Sequence, residues 1–248
     1  MARFDGRVRA WSTTRRAALA ALAVAASGCA TVPVPPGGAQ SPVPSNAPCC
    51  TPLERGVLAE LNHARTDPQG FAADLEARLQ YYHGYIYRAP ASDVGLRTLE
   101  GPDAVREAIR VLRATRPLPA LRLSRGMSAA AADHVRDQGP RGGTGHTGSD
   151  GTTPAQRVSR YGRWYATITE SIQYGRGDAR EVVADLLIDD GVPGRGHRRN
   201  ALDPNVHVAG VACGPHATYG QMCVLEHAGE YAERSAPTRS DGSRTGGR

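Results

Sequence analysis

From Pro52 onward the apolar residues Leu53, Val57, Leu58 and Leu61 recur at helical intervals, and Pro52 suits a first helical turn. The segment NHARTDP ends that helix before Pro68, and Phe71, Leu75 and Leu79 repeat the spacing and predict a second. PDAVREAIRVLRATRP predicts a third, with Asp103 early, Val105, Ile109 and Leu112 on one face, and a proline stop. Ser124 caps a fourth, RGMSAAAADHVRDQG, which closes on Gly139. A glycine-rich loop from Gly139 to Gly151 follows, then a short helix around PAQRVSRYG capped by Thr152 or Thr153. There the period changes. RWYATITESIQYG alternates and is rich in β-branched and aromatic residues, so it predicts a strand. DAREVVADLLIDDG returns to helical spacing with Asp178 as its cap, and Gly191 to Pro204, GVPGRGHRRNALDP, reads as a glycine-flanked turn. VHVAGVACGP and GQMCVLEHAG predict two strands of a hairpin. Helices first and strands interleaved late give an α+β domain, a mostly antiparallel sheet covered by helices.

The two ends of the chain read differently. Residues 1–28 start Arg-rich and continue into the apolar run AALAALAVAASG, which has the length of a signal-peptide core and falls short of the ~20 residues of a membrane-spanning helix. The small residues directly before Cys29 resemble the lipobox of bacterial lipoproteins, although Ala26 stands where that pattern usually has Leu. This resemblance implies that Cys29 is lipidated and becomes the new N-terminus; the alternative is ordinary cleavage near AVA and full release. TTRR also resembles a twin-arginine export signal. Residues 29–50 are rich in Pro, Gly and Ser and read as a linker, and residues 233–248 as a disordered polar tail. The folded domain is expected over residues 51–232, with no internal repeat.

Composition narrows the choices. Forty per cent of the 248 residues are hydrophobic, with two Trp and two Phe, enough for one core of moderate size. All 30 basic residues are Arg, and +4 of the net charge of +6 lies in residues 1–28. The remainder is weakly charged, so we expect no nucleic-acid partner. Five cysteines less a lipidated Cys29 leave an even number, which in an exported chain suggests disulfides. Cys213 and Cys223, ten apart across the hairpin, are expected to pair, the alternative being free buried thiols. The partners of the adjacent Cys49 and Cys50 stay open. With no CxxC, a thiol-redox enzyme or a zinc ribbon is disfavoured.

Candidate chemistry sits in three separated segments: His146 in the glycine loop, Glu170 inside a β-branched strand, and His197 in the glycine-flanked turn. A carboxylate within such a strand must face solvent, a cleft or a partner. Two imidazoles and a carboxylate form a His2Glu set, the ligand chemistry of open catalytic zinc sites. They also suit an acid–base pair without metal, and the plain alternative is that each histidine bonds backbone groups in its loop. Neither HExxH nor GxSxG occurs. His63 and His134 are read as surface or helix-packing residues, and His207, His216 and His227 as residues of the late strands. Arg141 and Arg157, which flank the site region, are read as solvated or paired.

Taken together, LAELNHARTDP, LSRGMSAAAADHVRDQG, GHTGSDGTTPAQRVSRYG, ESIQYG and LLIDDGVPGRGHRRNALDPNVHVAGVACGP resemble the CAP superfamily (SCP, PR-1, antigen 5 and cysteine-rich secretory proteins), in its bacterial branch. The resemblance covers nearly all of Thr51 to Tyr231; Leu99 to Pro117 looks like an insertion or variant segment. It implies an α–β–α sandwich whose central cleft is lined by two histidines and two acidic residues. His146 and His197 match the histidines and Glu170 the first acid. The fourth position lies on the helix before His197, where Asp185, Asp189 or Asp190 would stand in; we assign Asp189. ESI replaces the usual ENI, and the aromatic usual on that helix is absent from LLIDD. Arg198 and Asn200 match the polar residues after the second histidine and are expected to tie the turn to the sheet.

With the lipobox-like segment before Cys29, this resemblance implies an exported, lipid-anchored envelope protein, tethered to the membrane through Cys29, that acts as an extracellular binding module. Its ligand would be a lipid, a sterol-like molecule or a protein, and the tyrosines of LQYYHGYIYRAP would line a groove for it. The alternative is a metal-dependent hydrolase holding zinc or another divalent cation at His146, Glu170, His197 and Asp189. A third reading is a structural envelope protein. Binding is favoured over catalysis.

Overall fold

The computed structural model describes residues 50–90, 94–175 and 177–234. The signal segment, Cys29, nearly all of the linker including Cys49, and the tail from residue 235 lie outside the described residues. The described residues form seven α-helices: α1 (Pro52–Thr66), α2 (Pro68–Arg78), α3 (Pro102–Ala114), α4 (Arg125–Gln138), α5 (Pro154–Ser159), α6 (Ala179–Ile188) and α7 (Gly196–Ala201). The strands are β1 (Tyr82–His83), β2 (Ile86–Tyr87), β3 (Leu96–Arg97), β4 (Arg122–Leu123), β5 (Gly162–Tyr174), β6 (Val208–His216) and β7 (Gly220–Glu233). Among the described residues no helix is long and apolar enough to cross a membrane.

Local chemistry explains most boundaries. Thr51 and Glu54 form a reciprocal capping box at the start of α1. Asp67 closes α1 through its backbone and caps α2 through its side chain, so Pro68 opens the second helix. Ser124, Thr153 and Asp178 cap α4, α5 and α6. Three features lay outside the hydrophobic pattern: α7 within the expected turn, the short β4, and the small antiparallel sheet β1-β2-β3 in the tyrosine-rich segment.

The main sheet has the order β4-β6-β7-β5 and is antiparallel except for the β4–β6 pair. Its side chains alternate between two helical layers. Ala209, Val211, Cys223 and Leu225 join a core with α1, α2, α3 and α6. Val208, Ala212, Ile172, Val224 and Ala228 pack against α4 and α5 on the other face. The result is the expected α–β–α sandwich. On β6, Gly210 is required: an added Cβ would lie 2.3 Å from the backbone carbon of Met127, so only glycine lets α4 approach this closely.

Polar staples complete the frame. Cys213 and Cys223, directly opposed on β6 and β7, form the expected disulfide. Arg65 is fully buried, and its guanidinium bonds the carbonyls of Pro119, Ala201, Asp203 and Val206, fastening α1 to two connecting segments. Glu233 ends β7, and its carboxylate accepts from the Ser124 hydroxyl and from the amides of Arg125 and Gly126. Cys50, placed in the linker, is buried, and its carbonyl accepts from Arg55.

Candidate functional site

The site forms beside β5, an edge strand of the main sheet. Glu170 lies on the β5 face covered by α4 and α5 and is 6% exposed. One of its oxygens meets His146 Nδ1 at 2.8 Å and the other accepts from Arg157 Nη2 at 2.5 Å. Burial works to raise the Glu170 pKa, but the bond from His146 and the charge of Arg157 outweigh it and hold the group below the usual carboxylate range. Arg157, itself buried, also binds the carbonyls of His146 and Thr152. It is therefore paired, as expected. Arg141 pairs with Asp137 at the surface.

The glycine loop that carries His146 has little apolar content, and polar side chains fix it in place. His134 Nε2 and Gln138 Nε2 bond the Gly145 carbonyl at 2.9 and 2.8 Å, and His216 Nε2 bonds the Gly143 carbonyl at 2.7 Å. The Tyr174 hydroxyl accepts from the Gly145 amide and donates to Gln138. Carbonyls only accept, so His134 and His216 each carry their proton on Nε2. His216 Nδ1 then accepts from the amides of Thr218 and Tyr219. Burial lowers the His134 pKa and favours this neutral state. These histidines thus position the loop. The sequence marked His134 only as a surface or packing residue.

The second half is local. α6 closes on Asp189, which has φ 57° and is 2% exposed. This left-handed conformation is one that Asp tolerates better than most residues. It turns the carboxylate onto the next segment, where one oxygen meets His197 Nδ1 at 2.8 Å. The other accepts from the His197 amide at 2.9 Å. Arg198 bonds the carbonyls of Leu187 and Ile188 and the carboxylate of Glu107 on α3, so it ties the turn to helices rather than to the sheet. Asn200 reaches the Glu170 carbonyl and the Ser171 hydroxyl at 3.2 Å each, the tie to the sheet that was expected. Arg195 holds Glu100 and Glu107 on the segment entering α3 and on α3 itself, and these bonds depress both carboxyl pKa values to about 2.

The four residues singled out in the sequence therefore form two imidazole–carboxylate pairs, His146–Glu170 and His197–Asp189. The two rings lie 6.5 Å apart between centroids at 53°. Of the other acids, Asp185 bonds Arg78 and Gln173, and Asp190 caps the amides of Leu99 and Glu100. An ionised carboxylate only accepts, so each paired ring donates from Nδ1 and, when neutral, carries its lone pair on Nε2. The His146 side chain is 50% exposed and His197 22%. His146 and Glu170 line a surface cavity of about 290 Å³ with Thr153, Pro154, Ala155, Ile168 and Thr169. A second groove of about 250 Å³ lies between α2, β2 and α6. Tyr81 and Tyr87 of the tyrosine-rich segment line it beside Phe71, Leu75 and Ala184.

As metal donors, Nε2 of His146 and His197 fit zinc chemistry, while the Glu170 oxygens are engaged by His146 and Arg157. Among the described residues no group of three His, Cys, Asp or Glu side chains is arranged to hold a metal ion. The pairs thus supply two nitrogen donors, one fewer than the three protein ligands usual in a catalytic zinc site.

Residues 106–226 match the family described as CAP: Cysteine-rich secretory protein family, and in that region the chain resembles the family. The match includes most of α3, so the segment read as an insertion up to Pro117 is in good part within the family's extent. No curated protein matches the chain. Among solved structures it is similar to an outer surface protein from Borrelia burgdorferi, at 20% identity and TM-score 0.39, over 45% of this chain and 78% of that one. An extracellular protein containing a SCP domain from Bacillus anthracis shows 19% identity and TM-score 0.37, over 48% of this chain and 36% of that one. A cysteine-rich secretory protein from Staphylococcus aureus shows 11% identity and TM-score 0.32, over 57% of this chain and 45% of that one. The alignments thus span less than half of the Bacillus and Staphylococcus chains. With scores this low, these likenesses decide nothing about the site.

Proposed function

We propose that the chain is an exported, lipid-anchored CAP-domain protein that works outside the cytoplasm as a binding module, taking its ligand between His146 and His197. One observation carries this reading: both Nδ1 atoms are tied to buried carboxylates, so the nitrogen each ring has left for a ligand is Nε2. Two neutral imidazoles held this way are hydrogen-bond acceptors. They suit a ligand that brings a hydroxyl or amine, and the apolar Pro154, Ala155 and Ile168 beside His146 suit an apolar body next to it. A sterol-like or lipid hydroxyl fits both features, as does a hydroxyl side chain of a protein partner.

The test uses the full chain with Cys29→Ser, so that no anchor masks the cleft, and phosphatidylcholine vesicles with and without cholesterol. Cholesterol-dependent flotation that is lost in His146→Ala/His197→Ala is expected. Equal flotation of both proteins on both vesicles would overturn a sterol-binding cleft.

A metal-dependent hydrolase is the second reading. It is favoured by the carboxylate behind each imidazole, the arrangement that orients metal-binding histidines. His146 and His197 would hold the cation, which would supply Lewis acidity when bound. Calorimetry of the full chain with Zn²⁺ tests this. One-to-one binding lost in the double variant supports it, and no uptake by the unsubstituted chain overturns it.

A further inference from the structure

A second carboxyl lies directly behind the first. Glu226 on β7 is the ladder partner of Glu170 on β5, and opposed residues of an antiparallel pair project to the same face. Glu226 is 0% exposed. No N–H or O–H donor among the described residues reaches either of its oxygens. On the other side of β7 its ladder partner is Gly210, which brings no side chain. The charged and titratable groups around the pair are Arg157 from α5, His134 from α4, His146 from the loop, Tyr174 from β5 and His227 from β7, whose side chain is on the opposite sheet face. Arg157 bonds Glu170, and His134 is spent on the Gly145 carbonyl. One cation therefore faces two buried carboxyls.

An ionised carboxylate in that position would have neither a donor nor a cation of its own, which is too costly to persist in a folded core. A protonated carboxyl changes the account, because it becomes a donor and Glu170 is the acceptor opposite. We infer that Glu226 is a neutral carboxylic acid that donates its hydrogen bond to Glu170, so that the buried pair carries a single negative charge and Glu226 acts as a positioning residue for His146. Burial and the neighbouring Glu170 charge both push the Glu226 carboxyl well above the usual carboxylate range. Glu170 is then held by three donors on three elements: Glu226, Arg157 and His146. The consequence reaches the surface, since the ring is fixed as the tautomer with a bare Nε2. This inference rests on the proposed role of that nitrogen in ligand binding, but its test needs no ligand.

The test compares Glu226→Gln, which keeps a donor, with Glu226→Leu, which removes it. Infrared spectroscopy of the full chain at neutral pH should show a protonated carboxyl C=O band that disappears in Glu226→Gln. The His146 ring signals in the NMR spectrum should be unchanged in Glu226→Gln. They should shift and broaden in Glu226→Leu, where Glu170 loses one of the donors that hold it. If Glu226 were ionised, the infrared band would be absent, and that result overturns the inference. Ring signals unchanged in both variants overturn the positioning role. If Glu226→Leu does not fold, the band and its loss in Glu226→Gln still decide the protonation state. Failure of the vesicle or zinc experiments would leave these readouts untouched, so the two readings fail separately.

Discussion

The His146 and His197 arms perform the same operation with different materials. His197 is supported locally: Asp189 lies eight residues upstream, and its carboxylate reaches the ring and the ring's own amide across one helix end. His146 is held from several segments at once, by Glu170 on β5, Arg157 on α5, His134 and Gln138 on α4, and His216 at the end of β6. A short loop closure costs little entropy, so the local arm needs one well-placed carboxylate. The long glycine loop has many conformations to lose, and a network of buried polar side chains sets its position. The first arm should be lost piecemeal, whereas the second should depend on the integrity of the whole domain.

The largest expected effect breaks the distributed arm. Arg157→Met leaves the buried Glu170 without its cation and two carbonyls without their donor, and should cost on the order of 3 kcal/mol in urea unfolding. A loss below about 0.5 kcal/mol, typical of a surface site, would show that Arg157 is not holding the arm. Acid should act on the sheet face below the local arm, where His227 is 1% exposed with neither ring nitrogen bonded among the described residues. Burial, then the charge of Arg65, lowers its pKa from 6.5 to about 4. The folded state thus resists a proton that the unfolded chain accepts. Stability is full above pH ~6.5 and falls as pH drops toward ~4, by roughly 3 kcal/mol in all. Thermal melts across that window should show the slope, and His227→Phe should flatten it.

Smaller effects sharpen the contrast. Asp189→Ala removes the ring's partner and the amide acceptor and should cost about 1–2 kcal/mol, with increased mobility confined to residues near His197 in amide exchange. Exchange that spreads to the glycine loop would contradict the separation of the arms. His146→Ala is the mildest, because the side chain is half exposed. It should change stability by no more than about 0.5 kcal/mol while abolishing ligand capture.

Much of this was legible in the sequence, for identifiable reasons. Helices α1 to α6 announce themselves through apolar spacing and through Pro52, Ser124, Thr153 and Asp178. The strand carrying Glu170 and the disulfide hairpin do so through alternation and spacing. Asp189 could be only one of three candidates, because choosing among Asp185, Asp189 and Asp190 depends on which residue takes the left-handed turn. α7 was hidden because its six residues start on Gly196, close after Gly194, and have low apolar content. The loop-holding roles of His134 and His216, and the opposition of Glu226 to Glu170, are properties of register and layer packing. They join residues 11, 73 and 56 positions apart, beyond the reach of local periodicity. The best signal for Glu226 in the sequence was a charged residue in a strand otherwise rich in apolar residues.

The most direct test of the account is a long-range nitrogen-15 spectrum of the His146 and His197 rings in the full chain, recorded with both rings neutral. The account predicts Nδ1–H with a bare Nε2 in both rings, matching the carboxylate behind each. A proton on Nε2 in either ring would contradict it, because that histidine would then present a donor where the proposed ligand requires an acceptor.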